Sequence, residues 1–184
     1  LFYLLLHGWI AAVGDSDLAV RALSGLWAVA LLPLVWIAGR RVGGRRTAAC
    51  TVVILALSPF AVRYATEARM YAMVSVLALV GWLAADSAWR RPGLVPLAGV
   101  AVCSALLLWT HYWSIWFLAV GASLLAVLAW RANAGGDRAA RSAALRILAA
   151  VGVGGLTFAP WLPTLWYQRA HTGTPWTRPS RPAE

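Results

Sequence analysis

Six apolar blocks, separated by short connectors in which arginines cluster, run through the chain at 18–39, 47–60, 70–89, 94–109, 114–130 and 143–159. A helix rises ~1.5 Å per residue, so about 20 apolar residues cross a hydrocarbon core roughly 30 Å thick. Block 18–39 suffices for a full span, whereas 47–60 is short for one unless it runs on past Pro59 inside protein. The 184 residues are 61% hydrophobic and only 12% charged, against roughly a quarter charged in a soluble domain. The apolar residues also lie in continuous blocks, not along one face, which excludes a soluble globule. Segment 1–13 is apolar but too short to cross, and its Tyr3 and Trp9 suit a part-helix at the membrane interface. The predicted fold is all-α: a polytopic membrane protein of about six transmembrane helices, preceded by an N-terminal interfacial helix and followed by a tail at 160–184. Gly14-Asp15-Ser16-Asp17 supplies a turn and an N-cap for the first span, and Pro33 is expected to kink it.

The formal charge is +10, from sixteen basic and six acidic residues. Every basic residue is an arginine, and ten of the sixteen fall in three connectors: 40–46, 90–93 and the segment from Arg131 to Arg146. That distribution follows the positive-inside rule and orients the chain in the cell membrane. Connectors 40–46, 90–93 and 131–142 are assigned to the cytoplasm, and segment 61–69 and both ends to the outer face. The arginines form no continuous basic face, which argues against nucleic acid as a partner. Cys50 and Cys103 lie inside apolar blocks and read as small buried hydrophobes, not as a disulfide or a zinc site. The chain opens on Leu1 without a methionine or a charged n-region and closes on a polar run, so it reads as an internal piece of a longer membrane protein.

Arg63 and Arg69 stand on the outer side against the charge rule, beside Glu67. A helix beginning near Thr66 would align Arg63, Glu67 and Tyr71 at four-residue spacing along one polar edge at the membrane surface. Such an edge can hold an anionic head group, because a guanidinium matches phosphate and a carboxylate can orient it. A snorkelling ion pair at the interface fits the same residues. Thr110-His111-Tyr112-Trp113 forms a second cluster, suited to a sugar ring or a lipid chain or, equally, to an aromatic belt. Asp17 with Arg21, Asp86 with Arg90 and Asp137 with Arg141 repeat the four-residue spacing and are assigned to capping and packing. The chain contains no Gly-rich phosphate loop, His-Glu-x-x-His, Gly-x-Ser-x-Gly or Cys-x-x-Cys motif.

Taken in order, several segments form a series: Leu1 to His7, Gly14 to Arg21, Gly39-Arg40-Arg41, Leu57-Ser58-Pro59, Arg63 to Tyr71, Thr110-His111-Tyr112 and Pro160-Trp161-Leu162-Pro163. This series resembles bacterial members of the protein O-mannosyltransferase-like group of membrane glycosyltransferases, which includes the lipid A aminoarabinose transferase-like enzymes and has the GT-C fold. The resemblance implies transfer of a mannose-like or other sugar from a polyprenyl-phosphate-linked donor to a lipid, glycan or protein acceptor on the outer face, and it implies no cofactor. It further implies that the catalytic acid lies upstream of Leu1, so that these residues alone are inactive. Carried onto this chain, it places Arg63, Tyr64, Glu67, Arg69, Tyr71, His111 and Tyr112 around the donor. Arg63 and Arg69 would meet phosphate, Glu67 would orient them, and His111 and Tyr112 would line the lipid-phosphate or sugar pocket. Outside that resemblance, a transporter or flippase segment and a non-catalytic membrane subunit remain open readings of the same residues.

Overall fold

A computed structural model describes residues 1–171, and among them every regular element is helical. The elements are α1 (Phe2–Val13), α2 (Asp17–Leu57), α3 (Pro59–Thr66), α4 (Tyr71–Arg90), α5 (Leu94–Thr110), α6 (Ser114–Ala134), α7 (Arg138–Leu156) and α8 (Leu162–His171), with a 3-10 turn at Ala159–Trp161. Helices α2, α4, α6 and α7 are long and apolar enough to cross a membrane, and α5 is apolar and slightly shorter at 17 residues. The all-helical, membrane-type architecture expected from the apolar blocks is therefore present.

Helix α2 consists of two arms. Ser16 caps its start, Oγ accepting from the Ala19 amide at 3.3 Å, and Asp17 sits in the first turn where an acid suits the helix dipole. Helical dihedrals continue through Pro33 and fail only at Gly43 (φ −148°, ψ 17°) and Gly44 (φ 81°, ψ −166°). The helix thus runs through Pro33 without a break, and the reversal falls at the glycine pair inside the connector expected at 40–46. A proline removes one backbone bond, whereas the left-handed φ of Gly44 reverses the chain at little steric cost. A Cβ on Gly39 would lie 2.6 Å from the Ala48 Cα, although nine residues of continuous helix would separate those positions by ~13 Å. The second arm, 45–57, therefore doubles back along the first, 17–42. Connector 40–46 is helical almost to its tip, not a loop.

Other boundaries shift for equally local reasons. Block 47–60 ends at Leu57, because Ser58 leaves the helix and caps α3, accepting from the Ala61 amide at 3.4 Å with Pro59 in the first turn. Segment 61–69 is consequently mostly helix. The connector expected at 131–142 contracts to 135–137, where Gly136 takes φ 72° and Asp137 Oδ1 accepts from the Ala140 amide at 2.9 Å. Asp137 is therefore a cap and not an ion-pair partner of Arg141. Of the tail expected at 160–184, the part up to His171 continues as helix, and Trp176 lies outside the described residues. Cys103 is buried as expected, but Cys50 is exposed on the outer surface of the second arm.

The long helices pack as a row in which α4 lies against α2, α5 against α4, and α7 between α5 and α6. Consecutive α5 and α6 barely touch. Small residues set these contacts: Gly81 faces Cys103, Gly99 faces Ala84, and Gly154 of α7 abuts the Ala101 carbonyl and the Ser104 side chain of α5. Where lipid and protein are equally apolar, close backbone approach of this kind drives association. One apolar cluster joins Ala88, Val100, Ile147 and Ala150 near the arginine-rich end. At the opposite end α1 inserts Phe2, 1% exposed, among Leu23, Met73, Leu77 and Leu107, and Trp9 Nε1 donates to the Ala19 carbonyl at 2.7 Å.

A Cβ on Gly154 would fall 2.7 Å from the Ser104 Cβ, while Gly152 faces open space. Gly154→Val should destabilise the protein by about 2 kcal/mol through overpacking, and Gly152→Val should stay within roughly 0.5 kcal/mol of wild type. Unfolding midpoints in detergent check both.

Candidate functional site

The polar residues singled out in the sequence gather where the α2 hairpin, α3 and α4 meet, at the end away from the arginine-rich connectors. Helix α3 is short because Ser58 starts it and Glu67, with extended dihedrals (φ −87°, ψ 136°), ends it. The turn 67–70 is then bound to the first arm of α2. Ser24, fully buried, donates from Oγ to the Arg69 carbonyl at 3.2 Å, and Arg21 Nη1 donates to the Thr66 carbonyl at 3.3 Å. The expected Asp17–Arg21 pair is absent, since Arg21 reaches across to α3 instead.

Glu67 is the hub of the charged group. Its Oε1 accepts from Arg63 Nε at 3.1 Å, and its Oε2 lies 3.8 Å from Arg69 Nε. The Glu67 side chain is 27% exposed, whereas Arg63 is 74% exposed. The hydrogen bond to Glu67, reinforced by its charge, holds the Arg63 guanidinium above its ordinary pKa. The expected polar edge Arg63–Glu67–Tyr71 is half realised. The first pair forms, but α3 ends at Thr66 and Tyr71 opens α4, so Glu67 and Tyr71 do not share a helix. A notch of about 330 Å³ beside this group is lined by Asp17, Arg21, Glu67 and Arg69, together with Val20 and Ala68.

Tyr64, Tyr71, His111 and Tyr112 form a line of rings. Phe60 meets Tyr64 edge-on at 4.5 Å, Tyr64 meets Tyr71 at 4.6 Å, Tyr71 meets His111 at 6.0 Å, and His111 meets Tyr112 at 6.0 Å. These separations fall in the favourable range for aromatic pairs. The line joins α3 to the turn after α5 and thereby unites the two clusters that are far apart in sequence. Tyr112 is exposed at its far end. His111 is the C-cap of α5, and burial holds its imidazole below the ordinary histidine value.

Beneath α3 lies an apolar groove of about 580 Å³. Gly25, Ala28, Val29 and Leu32 of the first arm form its floor, Leu55 of the second arm one wall, and Phe60, Tyr64 and Tyr71 its rim. The floor residues repeat at helical spacing, as do Arg21 and Ser24 above them. That helical spacing was the signal available in the sequence for Ser24 and the groove, which motif reading did not select, and for the role of Arg21, which it assigned to capping. Among the described residues no group of three His, Cys, Asp or Glu could hold a metal ion.

The arrangement offers an amphiphile two neighbouring environments, the apolar groove lined by α3 and the guanidiniums of Arg63 and Arg69. The chain matches no protein-family model, no curated protein and no solved structure.

Because the folded state disfavours protonated His111, the unfolded chain binds that proton more readily, and stability should fall as pH drops below ~6.5. Tyr71→Ala, by opening the ring line, should raise the His111 titration midpoint toward the ordinary value. NMR titration checks it, and an unchanged midpoint would remove Tyr71 from the burial of His111.

Proposed function

We propose that this chain is part of an integral membrane glycosyltransferase that takes its sugar from a polyprenyl-phosphate-linked donor, its six spans being the two arms of α2 together with α4 to α7. The observation that carries this reading is that one short helix serves both features: Phe60 to Thr66 of α3 line the apolar groove, and the same helix bears Arg63 and leads directly into Glu67 and Arg69. A polyprenyl phosphate is an anion on an apolar chain, and its two parts need these two environments within a few ångströms of one another.

In this reading the prenyl chain lies in the groove between the α2 arms, and the phosphate meets Arg63 and Arg69. Glu67 keeps both guanidiniums at the site before the donor arrives, so less ordering is needed on binding. Arg21 and Ser24, through the Thr66 and Arg69 carbonyls, act as positioning residues that fix the turn carrying the arginines. Arg21, Arg63 and Arg69 stand against Asp17 and Glu67, which leaves one positive charge over for an anion. Tyr64, Tyr71, His111 and Tyr112 offer ring faces and polar edges to the sugar. The general base that deprotonates the acceptor hydroxyl comes from outside these residues. The α3 end of the bundle faces outward, and the acceptor is a lipid, glycan or protein there.

Glu67→Gln and Arg63→Ala in the full-length protein should each lower transfer from a polyprenyl-phosphate-sugar donor at least tenfold, as loss of a charge-assisted hydrogen bond of about 1.5–3 kcal/mol implies. Membrane insertion should be retained. Wild-type transfer in both variants would remove this turn from the reaction. In a Cys50→Ser, Cys103→Ala background, Ala65→Cys should react with an impermeant thiol reagent from outside and Ala134→Cys only after permeabilisation. The reverse pattern would invert the orientation.

A further inference from the structure

At the other end of the bundle the α2 hairpin and α4 build a second charged structure that the sugar chemistry leaves unused. Arg41 Nη1 donates to the Leu83 carbonyl at 3.1 Å, to Asp86 Oδ2 at 3.0 Å and to Ser87 Oγ at 3.0 Å. Arg90 Nε holds the remaining oxygen of the same carboxylate, Asp86 Oδ1, at 2.9 Å. Asp86 therefore locks the hairpin tip to α4 and has no oxygen left unpaired.

The other arginines of this patch have no carboxylate. Among the described residues, Arg40, Arg45, Arg46 and Arg91 form no ion pair, and the other acid of this end, Asp137, is committed to capping α7. The hairpin also concentrates them. Gly39 and Ala48 are in contact, so Arg40 and Arg41 on one arm and Arg45 and Arg46 on the other all lie within about 5 Å of one level along the arms. The hairpin tip and the end of α4 thus carry six arginines and one acid, Asp86, which holds two of them.

The side chains that flank the patch narrow the class of ligand. Ile37, 41% exposed, stands one turn before Arg40 and Arg41 on the first arm, away from the tip. Trp89 precedes Arg90, and Trp130, 70% exposed, precedes Arg131. Exposed indoles next to exposed aliphatic side chains mark the level where acyl chains give way to head groups. A soluble anion would have no use for the aliphatic flank.

We propose that the hairpin tip and the end of α4 form a binding site for the phosphate of an anionic glycerophospholipid, with Arg40, Arg45, Arg46 and Arg91 on the phosphate and an acyl chain against Ile37. Clusters of arginine at the cytoplasmic ends of helices are the usual recognition element for such lipids. The site depends on the membrane architecture alone and not on any reaction at the opposite end.

The test is thermal unfolding of the purified chain in dodecylmaltoside micelles. Added phosphatidylglycerol should raise the midpoint by about 3 °C or more, and phosphatidylcholine or inorganic phosphate at equal concentration should not. Arg45→Gln/Arg46→Gln should abolish most of the rise, whereas Arg138→Gln/Arg141→Gln, equal in charge removed, should keep it. Native mass spectrometry gives a second readout that does not depend on the unfolding of the hairpin variant: wild type should retain a phosphatidylglycerol that Arg40→Gln/Arg91→Gln loses. No rise with phosphatidylglycerol, an equal rise with phosphatidylcholine, or equal loss in the Arg138/Arg141 variant would overturn the site. An equal rise with inorganic phosphate would assign it to a soluble anion and overturn the lipid.

Discussion

A backbone immersed in hydrocarbon must bond to itself, and almost every feature of this protein follows from where that requirement can be relaxed. Apolar surroundings leave a peptide group no water to turn to, so the chain stays helical until a side chain or a tight turn can take over. Ser16, Ser58 and Asp137 each supply the missing acceptor at a helix start. Ser75, Ser87, Thr51 and Thr110, inside helices, return their hydroxyls to carbonyls three or four residues back. Polar chemistry is thereby confined to helix ends. Only between Leu57 and Tyr71 is the helix interrupted twice in quick succession, by Ser58 and by the turn 67–70, and there the charged group and the groove lie together.

The class of fold was legible from the apolar blocks, because block length against bilayer thickness is a nearly one-dimensional question. Boundaries were less so. The reversal at glycines 43–44 falls inside the connector expected at 40–46, but how far helix continues on either side of it was not legible. The Gly39–Ala48 approach makes the reversal favourable at the glycines, and the length of the arm carries Pro33. The four-residue acid–arginine spacings divided in the same way. Asp86–Arg90 forms, whereas Asp17 and Asp137 stay without their expected arginine partners because a carbonyl on α3 and an amide of α7 compete for the same groups.

The candidate site was legible residue by residue but not as an arrangement. Arg63, Glu67 and Arg69 were visible as charges out of place, and their mutual geometry is local. The line from Tyr64 through Tyr71 to His111 and Tyr112 spans helices and depends on α4 and α5 being neighbours, which no local pattern encodes. Ser24 matched no motif in sequence and Arg21 read as the partner of Asp17, because their true partners are backbone carbonyls some 45 residues away, and a carbonyl carries no sequence signature.

The placement of α7 between α5 and α6 bears on assembly as well as on packing. Helices emerge during synthesis in the order α5, α6, α7, yet α5 and α6 have little surface for each other. The face of α5 around Ala101 and Ser104 stays bare until Gly154 arrives to cover it. Helix α7 is therefore the piece that ties α6 to the rest of the bundle. A chain that stops before α7 leaves α6 in the bilayer almost without a mate and one face of α5 uncovered, although α5 already has α4.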